Sequence, residues 1–220
     1  MLNMDFSKQV VIKTADMPWV SSPSTGVSRK PLEREFAESG HTSSIVRFEK
    51  DSHFPAHTHH LGEEIFVLDG VFSDEFGDYG KGSYLRNPPN SSHSPFSKEG
   101  CTLFVKLEQF DKRDTKTVRL NTEKTEWRQG IGGLQVMSLH EFEHEHVALV
   151  HWPAGERFQP HRHFGGEEIF VISGTFKDEH GEYPAGSWLR SPHLSAHDPY
   201  VDEETLIWVK TGHLLKDANS

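Results

Sequence analysis

The feature that most constrains this chain is that it repeats itself. From Phe54 to Lys106 every residue faces a counterpart 104 positions later, Phe158 to Lys210, without a gap and with 26 of 53 positions identical. Upstream the correspondence continues at slightly larger offsets: Val10 and Ile12 match Val118 and Leu120, Trp19 matches Trp127, Gly26 matches Gly133 and Leu32 matches Leu139. A period near one hundred residues is the size of a domain and far too long for a solenoid repeat. The 220 residues therefore read as two homologous domains, expected at 1–111 and 112–220 and joined through the polar stretch from Asp111 to Lys116.

Within each copy the elements are short and strand-like. Ile65-Phe-Val-Leu, Leu103-Phe-Val-Lys, Ile169-Phe-Val-Ile and Leu206-Ile-Trp-Val are rich in β-branched and aromatic side chains. Glycines at 70, 77 and 82, matched at 174, 181 and 186, punctuate the chain at hairpin spacing, and Asp-Glu-x-Gly at 74–77 and 178–181 reads as a hairpin tip. No long segment carries a helical apolar period, so the fold class is all-β, a barrel or sandwich in each repeat. Period-2 geometry puts Glu63, Ile65 and Val67 on one strand face and Glu64, Phe66 and Leu68 on the other. One face lines the barrel, and the other is a candidate surface for packing the barrels or for a homodimer.

The chemistry lies in His57-x-His59-x-x-x-Glu63 followed by His93, recurring as His161-x-His163-x-x-x-Glu167 followed by His197. In an extended segment, positions of equal parity point to one side, so both imidazoles and the carboxylate converge, and the later histidine arrives from another strand. A lone His-x-His on a strand is commonly a surface pair. Four donors kept at the same spacing in two copies that differ at half their positions are better explained as ligands. The expectation is one divalent metal per barrel, two per chain, held by nitrogen and oxygen. Zinc, iron, manganese and nickel all suit that donor set, with zinc or iron foremost.

Other residues carry less. Arg86 and Arg190 stand at equivalent positions and are expected to pair with Glu64/Glu168 or Asp74/Asp178 rather than to bind substrate, and Tyr79 and Tyr183 to pack. The one cysteine, Cys101, has Thr205 as its counterpart, so it reads as a small buried residue; a lone cysteine also excludes an intramolecular disulfide and a cysteine-rich zinc finger. The remaining histidines, His140, His144 and His146 among them, are assigned to the surface. A net charge of −10 without a basic cluster argues against nucleic-acid binding. No apolar run approaches a signal peptide or membrane span, so a cytoplasmic protein without membrane contact is expected.

These residues resemble the cupin superfamily, whose first motif runs Gly, five residues, His-x-His, three or four residues, Glu, six residues, Gly. Glu63 precedes Gly70 and Glu167 precedes Gly174 by that interval, which selects them over Glu64 and Glu168; Gly155 fills the leading glycine position, and Asp51 replaces it in the first copy. The resemblance implies two tandem jelly-roll barrels, a bicupin. Gly-Glu-Glu-Ile-Phe-Val-Leu-x-Gly and Gly-Ser-Tyr-Leu-Arg-Asn-Pro-Pro further resemble the cupin domain of ChrR-type anti-sigma factors, over almost the whole chain. That likeness implies a small-molecule or oxidative-stress sensing role and a link to a sigma factor. ChrR proteins also carry a sigma-binding domain with a His-x-x-x-Cys-x-x-Cys zinc site, and this sequence has no such motif. The same cupin subclass resembles acetylacetone dioxygenase, which implies the alternative of a metal-dependent dioxygenase, or a related hydrolase, acting on a small diketone-like molecule. Either way a small-molecule ligand or substrate is the expected partner.

Overall fold

In the computed structural model residues 1–215 are described, and among them the secondary structure is strands with two short 3-10 turns, Thr14–Asp16 and Thr122–Lys124. No helix is long and apolar enough to cross a membrane. The chain forms two compact units, each an all-β barrel.

In the first unit the main sheet runs Val118–Asn121, Ser83–Asn87, Glu63–Asp74, Cys101–Leu107, Thr42–Phe48, Val27–Arg34 and Val20–Ser21, every pairing antiparallel. The long Glu63–Asp74 strand leaves that sheet at Gly70 and pairs its second half with Gly77–Gly80. Gly70 has φ +73°, and a Cβ there would sit 2.1 Å from the Gly100 carbonyl oxygen, so only glycine lets the two strands touch at this bend. Its counterpart Gly174 has φ +74° and an equally close neighbour in the Glu204 carbonyl, at 2.4 Å. A two-stranded ribbon, His57–His59 with Ser91–His93, completes the barrel wall that carries the histidines.

The second unit repeats the plan with the order Val10–Lys13, Ser187–Ser191, Glu167–Ser173, Thr205–Thr211, Glu145–Trp152, Gln135–Phe142 and Arg128–Gln129, and a ribbon of His161–Arg162 with Ala196–His197. The units are therefore cut differently from the expected 1–111 and 112–220. Among the described residues the first comprises 1–4 and 17–125, the second 5–16 and 126–215. The leading strand of each sequence repeat pairs with the sheet built by the other repeat: Val10 lies opposite Arg190, and Val118 opposite Arg86. The repeat pattern could not reveal this exchange. Both copies offer the same edge pattern, so the residues alone leave a leading strand two equivalent partners.

Strand parity is as expected. Ile65, Val67, Leu85, Leu103 and Val105 join Phe48 and Phe72 in the first core, with Ile169, Val171, Leu189, Ile207, Trp152 and Phe176 in the second. The opposite face is buried too, through Phe66, Tyr84 and Phe104 and through Phe170, Trp188 and Trp208. Cys101 is part of the first core, and burial pushes its thiol up to about 11, which makes it a small apolar side chain rather than a reactive one.

Candidate metal centres

The strand pairing brings the donors together. Antiparallel register sets His93 opposite His57 and Ser91 opposite His59, while Glu63 opens the neighbouring strand with its side chain on the barrel-lining face. Imidazole centroids lie 4.7–5.0 Å apart, and one donor atom from each of His57, His59, Glu63 and His93 falls within 4.8 Å of every other. His161, His163, Glu167 and His197 meet the same condition. In the first set the Nε2 atoms of His59 and His93 each stand 3.3 Å from Glu63 Oε2; in the second the corresponding distances are 3.5 and 3.7 Å, with His163 Nε2 3.1 Å from His161 Nε2. Metal bonds of about 2.1 Å require donors separated by about 3–4 Å.

The outer hydrogen bonds fix which nitrogen faces inward. The Pro55 carbonyl can only accept, so His57 donates to it through Nδ1–H at 2.8 Å and keeps its Nε2 lone pair for the cluster; His161 does the same toward Gln159 at 3.1 Å. His93 Nδ1 faces Asp74 Oδ2 at 3.4 Å, and His197 Nδ1 faces Asp178 Oδ2 at 3.5 Å. His59 Nε2 and His93 Nε2 are buried without a hydrogen-bond partner. In the first barrel these inward nitrogens without a partner, beside a buried carboxylate, are the donor set that a divalent cation satisfies, and the second barrel brings the same donor types together with His163 Nε2 against His161 Nε2. The residues thus fit a metal in each barrel.

The sequence marks Asp74 and Asp178 as turn formers and as alternative partners for Arg86 and Arg190, and the structure gives them a different second task. One oxygen of each closes the hairpin tip, accepting from Phe76 N at 2.9 Å or from His180 N at 2.8 Å, while the other reaches the histidine. Tyr79 and Tyr183, expected to pack, also donate to these aspartates, at 3.2 and 2.8 Å. The signal that could have found the aspartates was their exact recurrence across the repeat, which turn chemistry alone does not demand.

Glu64 and Glu168 point away from the clusters. Glu64 accepts from Tyr84 and, at 3.1 Å, from Arg86, which also donates to Asp114 at 2.7 Å and lies over Phe110 at 3.7 Å. Glu168 accepts from Trp188 Nε1 at 2.7 Å and contacts His213 at 3.1 Å. Arg86 and Arg190 are therefore structural, Arg190 lying opposite Glu168 across the ladder and over Phe6. The surface assignment of the remaining histidines fails at two of them. His140 is buried on the Gln135–Phe142 strand, and His213 is partly buried, its side chain covered where it approaches Glu168.

The two centres differ electrostatically. Burial opposes ionisation of Glu63, but His59, His93 and the Asn87 amide, which donates to Oε2 at 2.7 Å, outweigh it and hold the carboxyl below its ordinary range. At the second centre Ser191 stands in Asn87's place, and burial, aided by Asp178 and opposed by His197, pushes Glu167 up to about 7. Burial lowers His59, His161 and His163, the last to about 3. It works against charging His93 and His197 too, but their aspartates and glutamates prevail and raise both.

Each set opens onto an apolar cavity. The first, about 100 Å³, is lined by His57, Glu63, Phe48, Phe54 and Phe72; the second, about 330 Å³, by His161, Glu167, His197, Trp152, Phe158 and Phe176.

No curated protein sequence matches the chain. Among solved structures, a candidate dioxygenase of Nostoc punctiforme superposes with a TM-score of 0.79 at 17% identity, covering 96% of this chain and 85% of that one. The protein Ylba of E. coli gives 0.75 at 12% identity, with 100% and 96% covered. Oxalate decarboxylase OxdC of Bacillus subtilis gives 0.64 at 14%, with 92% and 76% covered. At such identities these likenesses establish the fold. The family description that matches is the ChrR Cupin-like domain, found at residues 7–111 and again at 115–215. Its two occurrences span nearly all of the sequence, and the chain belongs to the ChrR Cupin-like domain family as a two-barrel member.

Proposed function

We propose that each barrel binds a divalent metal through its three histidines and one glutamate, and that a small oxygenated organic molecule is bound beside it and oxidised, as in a metal-dependent dioxygenase. The observation that carries this reading is the apolar cavity that ends on the donors themselves, His57 and Glu63 in one barrel and His161, Glu167 and His197 in the other. A purely structural zinc site is closed on all sides by protein, whereas an octahedral metal with four protein ligands keeps two positions for exogenous ones. A bound iron would supply oxygen chemistry. The protein's part is to hold the Nε2 lone pairs inward through Pro55, Gln159, Asp74 and Asp178, and to exclude water with the Phe54/Phe72 and Phe158/Phe176 rings.

A second reading, ligand sensing without turnover, is favoured by the ChrR Cupin-like match over both repeats. Reconstitution without a histidine tag separates the two. Iron(II)-loaded protein should consume oxygen with at least one member of a panel of small diketones and aryl ketones, and zinc-loaded protein should not. Ligand-induced stabilisation without any oxygen uptake would remove the enzymatic reading and support sensing.

A further inference from the structure

The two centres share their donors but not their cavities. Most wall residues have a counterpart through the repeat, and among the exchanges that change polarity are Arg29 for Val136, Phe48 for Trp152 and Leu107 for Thr211. Phe48 and Trp152 occupy the same place. Phe48 meets Phe72 edge-on at 6.1 Å, and Phe72 lies 6.1 Å from His93; Trp152 meets Phe176 edge-on at 5.6 Å, and Phe176 lies 5.9 Å from His197. One aromatic ring thus separates position 152 from the donor set.

The exchange adds a hydrogen-bond donor. Trp152 is 4% exposed, and its Nε1–H has no hydrogen-bond partner. Trp188, also buried, donates to Glu168. The fold accepts phenylalanine at the equivalent position, so packing alone does not require an indole. A buried N–H without an acceptor is disfavoured until one arrives, and the cavity that Trp152 lines is where one can arrive. Apart from the metal donors and Thr211 the lining is aliphatic and aromatic, with Leu134, Val136, Val150, Ile169 and Val209 offering nothing to a second charge.

We infer that Trp152 is the specificity-determining donor of the second barrel, whose ligand is a small, mainly apolar molecule with an oxygen-bearing head at the metal donors and an uncharged acceptor oxygen about one ring's width away. This rests on the reading above, that a small oxygenated molecule binds beside a metal. The first barrel, with Phe48 and the smaller cavity, does not select for the second oxygen, so the two barrels prefer different ligands.

The test uses zinc-loaded full-length chain, which binds without turnover, and a matched pair of probes: 5-oxohexanohydroxamic acid and hexanohydroxamic acid, differing by one remote carbonyl. Trp152→Phe identifies the Trp152 indole N–H resonance by its loss. The oxo probe should move that resonance downfield, and in a His93→Ala background, where only the second barrel holds metal, it should bind about ten-fold tighter than its partner. Trp152→Phe should abolish the preference, bringing the two probes to equal affinity. Equal affinities, an unmoved indole, or a preference that survives Trp152→Phe would overturn the inference while leaving the metal centre standing. Failure of both probes to bind, or of zinc to be retained, would instead remove the functional reading together with it.

Discussion

Glu63 and Glu64 are neighbours in sequence and opposite in task, and their isosteric amides separate metal binding from folding. Glu64 is 2% exposed and shares Arg86, itself fully buried, with Asp114. Removing one partner of a buried ion pair costs about 3–5 kcal/mol. In Glu64→Gln the Asp114 contact at 2.7 Å survives and the amide oxygen still accepts from Tyr84, so the cost falls to or below the bottom of that range, roughly 2–3 kcal/mol. At about 2–4 °C per kcal/mol for a chain of this size, Tm should fall by about 4–12 °C with metal content unchanged. In Glu63→Gln the Asn87 amide keeps an acceptor, so the apoprotein should stay within about 1 kcal/mol of wild type. That variant loses the anionic ligand between His59 and His93, and metal in the first barrel should fall below detection after dialysis. Plasma emission analysis and thermal melts on the same samples read both quantities. Equal metal losses in the two variants, or loss in Glu64→Gln alone, would show that the strand register assigned to this site is wrong.

Asp74→Asn or Asp178→Asn should weaken metal binding in its own barrel by about 10–100-fold while both barrels still fold, measured by competition with a chromophoric chelator. Because Glu167 is raised from 4.5 to about 7, the folded apoprotein holds that proton more tightly than the unfolded chain, a contribution present below about pH 4.5 and lost as pH rises through about 7. Glu167→Gln, which cannot ionise, should match wild-type apoprotein at pH 4.5 and exceed it by roughly 3 kcal/mol above pH 7 in urea melts; a constant difference across that window would contradict the assignment. Ile12→Pro removes a ladder donor opposite Trp188 and should cost about 3 kcal/mol in the second barrel, melting His161, His163 and His197 before His59 and His93 by histidine NMR.

Much of this architecture is legible in the residues, for identifiable reasons. Parity along Glu63–Asp74 separates Glu63 from Glu64 because a strand alternates its faces whatever its surroundings. The four donors stand out because they recur in two diverged copies. Three things are not legible. The exchange of Val10–Lys13 and Val118–Asn121 between sheets is hidden because equivalent edges give equivalent patterns. The second role of Asp74 is hidden because turn formation already explains an aspartate there. The cavity difference is hidden because Phe48 and Trp152 are both simply aromatic core residues until the indole nitrogen is seen to lack a partner.

The central claim is that each barrel holds its own divalent metal on three histidines and a glutamate. The most direct measurement is metal stoichiometry and X-ray absorption on untagged wild type, His93→Ala and His197→Ala. Two metals per wild-type chain, one in each variant, and a shell of nitrogen and oxygen only are predicted. Retention of no metal by wild type, or a single metal lost entirely on changing one of these histidines, would contradict it.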